Sequence, residues 1–593
     1  MRRDGGGAWA TVAAGISLAA AGAAHAQSPG QTAGTPQQLN PGAQTEAASK
    51  VRTGDVFSAP ESAPCPLRSS PLTFKLTSVE AVGSKVLKAG DIRDAYDDLA
   101  GKTIPVGAIC DIRDRVAGML FHRGVLARVE IPEQKISDGK VRLEVIEAKI
   151  VSVRYHAVGH IGRVQAKVEQ YLEHLRNLAP FDLDTAQRYL LLANDVPGVH
   201  VTAHLRPSEA PAASPEDARG ALDLDVEIAR TPIDVVAAAQ NLSSKTLGPW
   251  SGIARIDFNG FTGWGDRSTL IGYSTLGNDD QQVIQIMEEA RIGSEGLLAR
   301  GSFAYGLSHP GDVLTPLRLS GQSVVGSGEL DYPLVRLKRA SLNVAGGFDW
   351  IDQNIDFPGG GALTDDSLRI FWLRADAATA HEGLRATPLG YISTSSSLSL
   401  QFRKGFEALG ASKAGAPSLS RNQGQPDAWV LRADGESAIT FEPPATPGSG
   451  LTLSVHYQGQ YADRPLLAYE ELPIGNLTIG RGYDPDALSG DRAIAGEFKA
   501  EVGPIWVMKS RKLGFTPYGF FDVARVSNLD LGSQDVTVRS MGGGVSVLIT
   551  KPTPSQRGVV TADFAYAKPL DKPLAAALTK PPARFLVQIN VSY

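Results

Sequence analysis

Phe585-Leu586-Val587-Gln588-Ile589-Asn590-Val591-Ser592-Tyr593 is the stretch that decides the fold. Side chains alternate across a strand with a period of two, so Phe585, Val587, Ile589, Val591 and Tyr593 share one face while Gln588, Asn590 and Ser592 share the other. A terminal strand with an apolar face leaves an unpaired edge, which a closed barrel removes by pairing its last strand with its first. The same period runs back through the chain. Leu451, Leu453, Val455 and Tyr457 alternate with Thr452, Ser454, His456 and Gln458. Trp429, Leu431, Ala433, Ile439 and Phe441 oppose Arg432, Asp434, Glu436 and Thr440, and Phe498, Ala500 and Val502 oppose Glu497, Lys499 and Glu501. About sixteen such strands fit within residues 232–593, with no helical periodicity among them.

A soluble β-sandwich or propeller would turn these apolar faces inward, whereas an outer-membrane barrel turns them to lipid and lines its lumen with the charges. The barrel fits better. Trp250, Trp264, Trp350, Trp372, Trp429 and Trp506 all lie in this half, as interfacial girdles require. The mixed charges Glu497, Lys499 and Glu501 along one strand suit a hydrated lumen. The terminal ladder from Phe585 to Tyr593 reads as a C-terminal barrel signal, with outer-membrane lipid and the barrel assembly machinery as partners.

Composition hides all of this. The 593 residues are 42% hydrophobic and 20% charged, with Lys+Arg 58 against Asp+Glu 63. Their mean hydropathy of -0.10 would suit a soluble protein, because alternating strands cancel in any average. No later apolar run is long enough for a membrane helix, which excludes a helical bundle, and the slight acidity excludes a basic nucleic-acid footprint. Arg2 and Arg3, the small apolar run Ala8 to Ala24 and the Ala24-His25-Ala26 cleavage pattern give an export signal over residues 1–26, so the mature chain starts at Gln27. Residues 27–70, rich in Pro, Gly, Gln and Ser, read as a flexible leader with no fold of its own.

Between leader and barrel lie two small α+β modules, residues 71–147 and 148–231. In the first, Phe74, Leu76 and Val79 mark a strand, and a helix is expected over Asp91 to Leu99. A second helix carries Ile109, Ile112, Val116 and Leu120 and stops at Gly124; strands Val125 to Ile131 and Lys140 to Ile146 join at Ser137-Asp138-Gly139. The second module repeats that order: strand Ile150 to Tyr155, a helical stripe Val164, Val168, Leu172 and Leu175, a helix capped by Asp184, and strand Val199 to Leu205. Its last strand alternates Leu222, Leu224, Val226 and Ile228 with Asp223, Asp225 and Glu227, which predicts a half-exposed strand.

Catalytic motifs are weak. Gly101-Lys102-Thr103 lacks the earlier glycine of a phosphate loop, since Tyr96 stands there, and no nucleophile elbow or His-Glu-x-x-His occurs. Five of the ten histidines fall between His156 and His204, but His200 and His204 on one strand would stand about 13 Å apart, too far for one ion. No cofactor or metal site is expected, and the chain does not read as an enzyme. Cys65 and Cys110 are the two cysteines of an exported chain, and the oxidising compartment favours a disulfide that staples the leader to the first module.

Two stretches of the barrel half stand out. Leu477 to Arg492, within a long connection at about 470–492, holds Arg481 between Gly480 and Gly482, followed by Tyr483. In Tyr518 to Ala524, Phe520, Asp522 and Ala524 point to the polar face, while Phe521 and Val523 point to lipid. A guanidinium on the loop and a carboxylate on the wall match as forks and would make a clamp. An ordinary loop and an ordinary lumen carboxylate would give the same spacing.

These motifs together resemble the TpsB transporters of two-partner secretion, of the FhaC, ShlB and HecB type. The resemblance covers essentially the mature chain. Its first periplasmic POTRA module carries a segment like Phe121 to Gly139, matched at Gly124, Pro132, Gln134, Asp138 and Gly139. Arg481, Gly482 and Tyr483, then Leu488-Ser-Gly-Asp491, match its long-loop motif; Phe520 and Asp522 match its strand motif, with Ala524 in place of the usual glycine. The resemblance implies two POTRA modules before a sixteen-stranded transmembrane barrel, a gating loop whose Arg481 pairs with Asp522 in the lumen, and export of an unfolded TpsA-like exoprotein recognised by its N-terminal secretion domain. Some members plug the pore with an N-terminal helix; Gln27 to Pro64 does not encode one convincingly. The alternatives are an insertase of the BamA type, which usually carries more POTRA copies, and a passive porin, which carries none.

Overall fold

A computed structural model of the chain describes residues 36–41 and 65–593, apart from 137, 177, 210–218, 278–279, 382–385, 388–389, 444–448, 486, 508–512, 551–557 and 574–580. The export signal read over 1–26 lies outside the described residues.

In the first module Ser78–Val82 runs parallel to the central strand Lys140–Glu147, which pairs antiparallel with Ala127–Glu130 on its other side. Helix Ala108–His122 lays Ile109, Ile112, Val116 and Leu120, all fully buried, against Leu76, Val141 and Leu143. Two expectations change here. The strand over Phe74 to Val79 is broken, because Thr73–Lys75 pairs instead with Thr103–Pro105. The helix expected over Asp91 to Leu99 is a single turn, Ala89–Ile92, running into a 3-10 turn, Arg93–Ala95. Its chain must return to the strand at Thr103, and the Gly101 N–H goes to Leu76 O at 2.8 Å instead of extending the helix. Cys65 and Cys110 form a disulfide that ties the segment before the module to the buried side of the long helix.

The second module repeats the topology. Lys149–Val158 is parallel to the central Ala221–Arg230, and Val199–Pro207 is antiparallel to it, with helices Val164–Leu172 and Leu183–Asn194 on one face. The cap of the second helix is Asp182 and not Asp184: its carboxylate accepts the Thr185 N–H at 2.8 Å, while Asp184 already lies in the first turn. Nor is Ala221–Arg230 half-exposed. As the central strand it is covered on both faces, and Asp223 (1% exposed) and Asp225 (5%) lie beneath Ser152, Arg154 and Arg206. The modules join where Leu183 N–H meets Gly124 O at 2.6 Å and Leu126 N–H meets Phe181 O at 3.2 Å. Gly124 sits there at φ +80°, a left-handed conformation that glycine adopts without strain.

The rest of the chain is a closed antiparallel barrel of sixteen strands, two of them (the eighth and the twelfth) continued by short segments, Ala386–Thr387 and Ile505–Trp506, that pair with the same neighbour. It closes between the last strand, Arg584–Ser592, and the first, Ile233–Gln240. Beyond the last ladder pair, the Asn241 side chain substitutes for a peptide: its Nδ2 donates to Phe585 O at 2.8 Å and its Oδ1 accepts the Val587 N–H at 2.7 Å. The pleat sends Leu431, Leu451, Leu453, Phe498, Val502, Phe585 and Ile589 to the outside, exposed, and buries Arg255, Glu289 and Arg403 within. This inverts a soluble protein, as a lipid solvent requires. Trp372 departs from the girdle: it alternates with the outward Phe371 and Leu373, so it faces inward, and its Nε1 donates to Asp349 Oδ1 at 3.0 Å.

The leader also departs from expectation. Its residues 36–41 lie inside the barrel, with Leu39 only 2% exposed among Ile253, Ile271, Tyr273 and Val283, and Gln285 Nε2 donating to Asn40 Oδ1 at 3.1 Å.

Candidate functional site

Residues 463–491 connect the eleventh barrel strand, Gly450–Ala462, to the twelfth, Arg492–Gly503, at the rim away from the modules. The connection narrows into a two-stranded ladder, Leu472–Ile474 with Leu488–Gly490, and its tip turns back into the lumen. Ile474, Ile479, Tyr483 and Leu488 bury themselves against the wall residues Ala495, Ala524, Val526 and Val538. Four apolar side chains that a free loop would leave in water thus bind it to the wall, each contributing on the order of 1.5–3 kcal/mol of transfer free energy. The methyl group of Ala524 is part of that packing.

At the tip, the Arg481 main-chain N–H donates to Asp522 Oδ2 at 2.8 Å. Ser540 Oγ donates to the same oxygen at 2.7 Å and accepts the Gly482 N–H at 3.2 Å. The Arg481 side chain goes elsewhere: its Nη2 meets Glu497 Oε1 at 2.7 Å, and the guanidinium lies 4.6 Å from the Phe520 ring centre and 5.6 Å from that of Tyr518. The clamp therefore differs from a guanidinium–carboxylate fork on Asp522. Gly480, at φ +121°, and Gly482, where a Cβ would come within 2.7 Å of Ser540 Cβ, let the backbone itself lie on the wall. With the main chain occupying Asp522, the long side chain reaches past to Glu497, directly opposite Asp522 on the neighbouring strand. The cation also separates two carboxylates that would otherwise face each other. Tyr483 is 2% exposed, with its hydroxyl 2.8 Å from Arg539 O and 3.0 Å from Asp571 O. Asp484 pairs with Arg584 on the last strand at 2.7 Å.

The base of the loop has pins that spacing did not suggest. Arg421, from the neighbouring connection 406–428, places Nη1 2.6 Å and Nη2 3.1 Å from the two oxygens of the fully buried Asp491, and Nη1 2.7 Å from Glu471. It also contacts Asp530 of the connection 528–535, so one guanidinium joins three loops. Asp491 further accepts the N–H groups of Leu466 and Leu529, both at 2.7 Å. Glu470 takes Arg403 in a fork at 2.8 and 2.9 Å. Alternation marks Glu497 and Arg403 as lumenal, but only strand pairing brings them to the loop.

The module residues do other work. The Gln134 amide donates to Arg142 O at 2.8 Å and accepts the Arg142 N–H at 2.7 Å, extending the sheet past Pro132, which has no N–H to give. Gly139, at φ +70°, brings its carbonyl within 2.7 Å of Thr77 N, and Asp138 O accepts from Thr77 Oγ1 at 3.2 Å. These residues shape the module and its junction, and do not reach the lumenal clamp.

A family model described as "Haemolysin secretion/activation protein ShlB/FhaC/HecB" matches residues 221–547, more than half of the chain, and one described as "POTRA domain, ShlB-type" matches residues 74–148. The chain belongs to the ShlB/FhaC/HecB family. It is a TpsB-type transporter of two-partner secretion, with a POTRA domain and a second module of the same topology before an outer-membrane barrel. Among curated relatives, the heme/hemopexin transporter protein HuxB of Haemophilus influenzae is 22% identical over 517 residues, covering 84% of each chain. Among solved structures, CdiB from Escherichia coli superposes with a TM-score of 0.69 at 14% identity over 95% of this chain and 99% of its own. CdiB from Acinetobacter baumannii gives 0.61 at 14% identity over 94% and 97%. In this family the modules face the periplasm, so the clamped loop belongs to the extracellular rim.

Proposed function

We propose that this TpsB transporter exports, and in doing so can activate, one dedicated large exoprotein, without nucleotide hydrolysis. The POTRA modules take the unfolded partner's N-terminal secretion domain, adding its strand to an edge strand of a module sheet such as Lys149–Val158 or Val199–Pro207. The chain then crosses the barrel, and its folding outside makes transfer directional. The loop 463–491 is the gate and conformational organiser of this path. The observation that carries the reading is its tip, turned into the lumen and bound to the wall through Arg481 to Glu497 and Asp522. The terminal strand, with Phe585, Val587, Ile589, Val591 and Tyr593 outward, serves the barrel assembly machinery as its recognition signal.

Deleting the transporter and comparing secreted and outer-membrane proteins tests this. Loss of a single large exoprotein from the medium is the expected result. Broad loss of outer-membrane barrels would instead assign an insertase, and loss of small-solute uptake alone a porin.

A further inference from the structure

Helix Val164–Leu172 of the second POTRA module lies against the first two periplasmic turns of the barrel, residues 260–266 and 293–296. Between them opens a cavity of about 340 Å³, whose lining includes Lys167, Gln170, Trp264 and Ile292. Lys167 is only 7% exposed, yet its ammonium meets neutral acceptors alone, Gln170 Oε1 at 2.8 Å and Gly293 O at 3.0 Å. No carboxylate pairs with it among the described residues. Arg291, which also lines the cavity, is paired with Glu289 at 3.5 Å, but two arginines just outside the lining likewise have no carboxylate partner among the described residues. Arg163 is exposed, and Arg230 gives its bonds to the carbonyls of Asn259 (2.6 Å) and Ile161 (3.2 Å) while lying 5.0 Å from the Phe261 ring centre. The acid of the turn, Asp266, is occupied by the N–H groups of Phe261 and Thr262. A buried charge without a counter-charge is costly, so this corner is built for an anion.

The surroundings say which kind. Trp264 is 60% exposed, Phe261 50% and Ile292 41%, on turns just below the lipid-facing Phe258. Indole rings settle at the level of lipid headgroups. We propose that this corner binds the phosphodiester headgroup of an anionic phospholipid from the periplasmic leaflet, its phosphate on Lys167 and Arg163 and its chains along Trp264 and Ile292. A bound lipid then fastens the module to both barrel and membrane.

Native mass spectrometry of the full-length protein in detergent, with added phosphatidylglycerol or phosphatidylcholine, tests the site. Phosphatidylglycerol is retained in preference, and Lys167→Gln and Arg163→Gln each weaken that retention about fivefold, the effect of one basic residue near an anionic surface. Trp264→Ala weakens it without any change of charge. Lys167 is buried and its loss can loosen the module, so the exposed Arg163 carries the test, with heat-modifiable migration showing an intact barrel. Unchanged retention in Arg163→Gln, equal retention of the two lipids, or full displacement of phosphatidylglycerol by inorganic phosphate, which would make this a site for free anions, would each overturn the proposal.

Discussion

The Arg481 guanidinium meets Glu497 at 2.7 Å, while Asp522, on the next strand, holds the Arg481 main-chain N–H at 2.8 Å. The two arms of the clamp are chemically separate, because alanine at 481 keeps the amide and loses only the guanidinium. Arg481→Ala and Glu497→Ala should each weaken the loop's hold by about 1.5–3 kcal/mol, the range of a charged hydrogen bond, and the double variant should be little worse than either. Asp522→Ala should add to Arg481→Ala. Among the described residues no cysteine is free, so the reactivity of a cysteine placed at Thr478 toward an impermeant thiol reagent reads loop release directly. Export by Arg481→Ala should fall strongly with the barrel still inserted; normal export would refute the gating role.

Arg421→Ala should damage the base of the same loop. It leaves the buried Asp491 and Glu471 without their cation, a loss of about 3–5 kcal/mol for a broken buried pair. Faster proteolysis within residues 463–491 and within 528–535 together, at unchanged barrel content, is the expected signature. Cleavage confined to one connection would mean that the three loops are not joined through this residue.

Reduction of Cys65–Cys110 should act on the first POTRA module alone. The bridge spans 45 residues, and closing a loop of that length is worth about 4 kcal/mol in the chain-entropy model. Thermal unfolding followed by module circular dichroism should therefore shift downward with reductant or with Cys110→Ser, while the barrel transition stays in place.

Acid should loosen the second module through Asp223. Burial pushes this carboxyl up, but hydrogen bonds from Ser152, Ser208 and Arg154 outweigh it and hold the group below its ordinary value of 3.8. A folded value below the unfolded one means stabilisation that is complete above the ordinary value and is lost as pH falls through the lower, folded one. Melting temperature should drop over that acid interval, and Asp223→Asn should flatten the dependence. An equal slope in the variant would place the effect elsewhere.

Period, order and punctuation were legible along the chain. Alternation is a local property of strand backbone, so the lipid-facing ladder from Phe585 to Tyr593, the count of strands and the repeated module topology can be read without knowing any partner. The motif around Arg481 could be read the same way. What lay beyond reach were relations between distant positions. Glu497 faces Asp522 only after their strands pair in one register, and Arg421 reaches Asp491 only when two loops meet over the lumen. Asp223 and Asp225 look solvent-facing by alternation, and are covered because their strand lands in the centre of a sheet. Leu39 is buried because a polar leader passes a hydrophobic stretch of wall. The sequence by itself determined which residues can face lipid or water, since that follows from a period of two. Only the tertiary structure decided which charges meet, because ion-pair geometry depends on register and loop closure, which no local pattern contains.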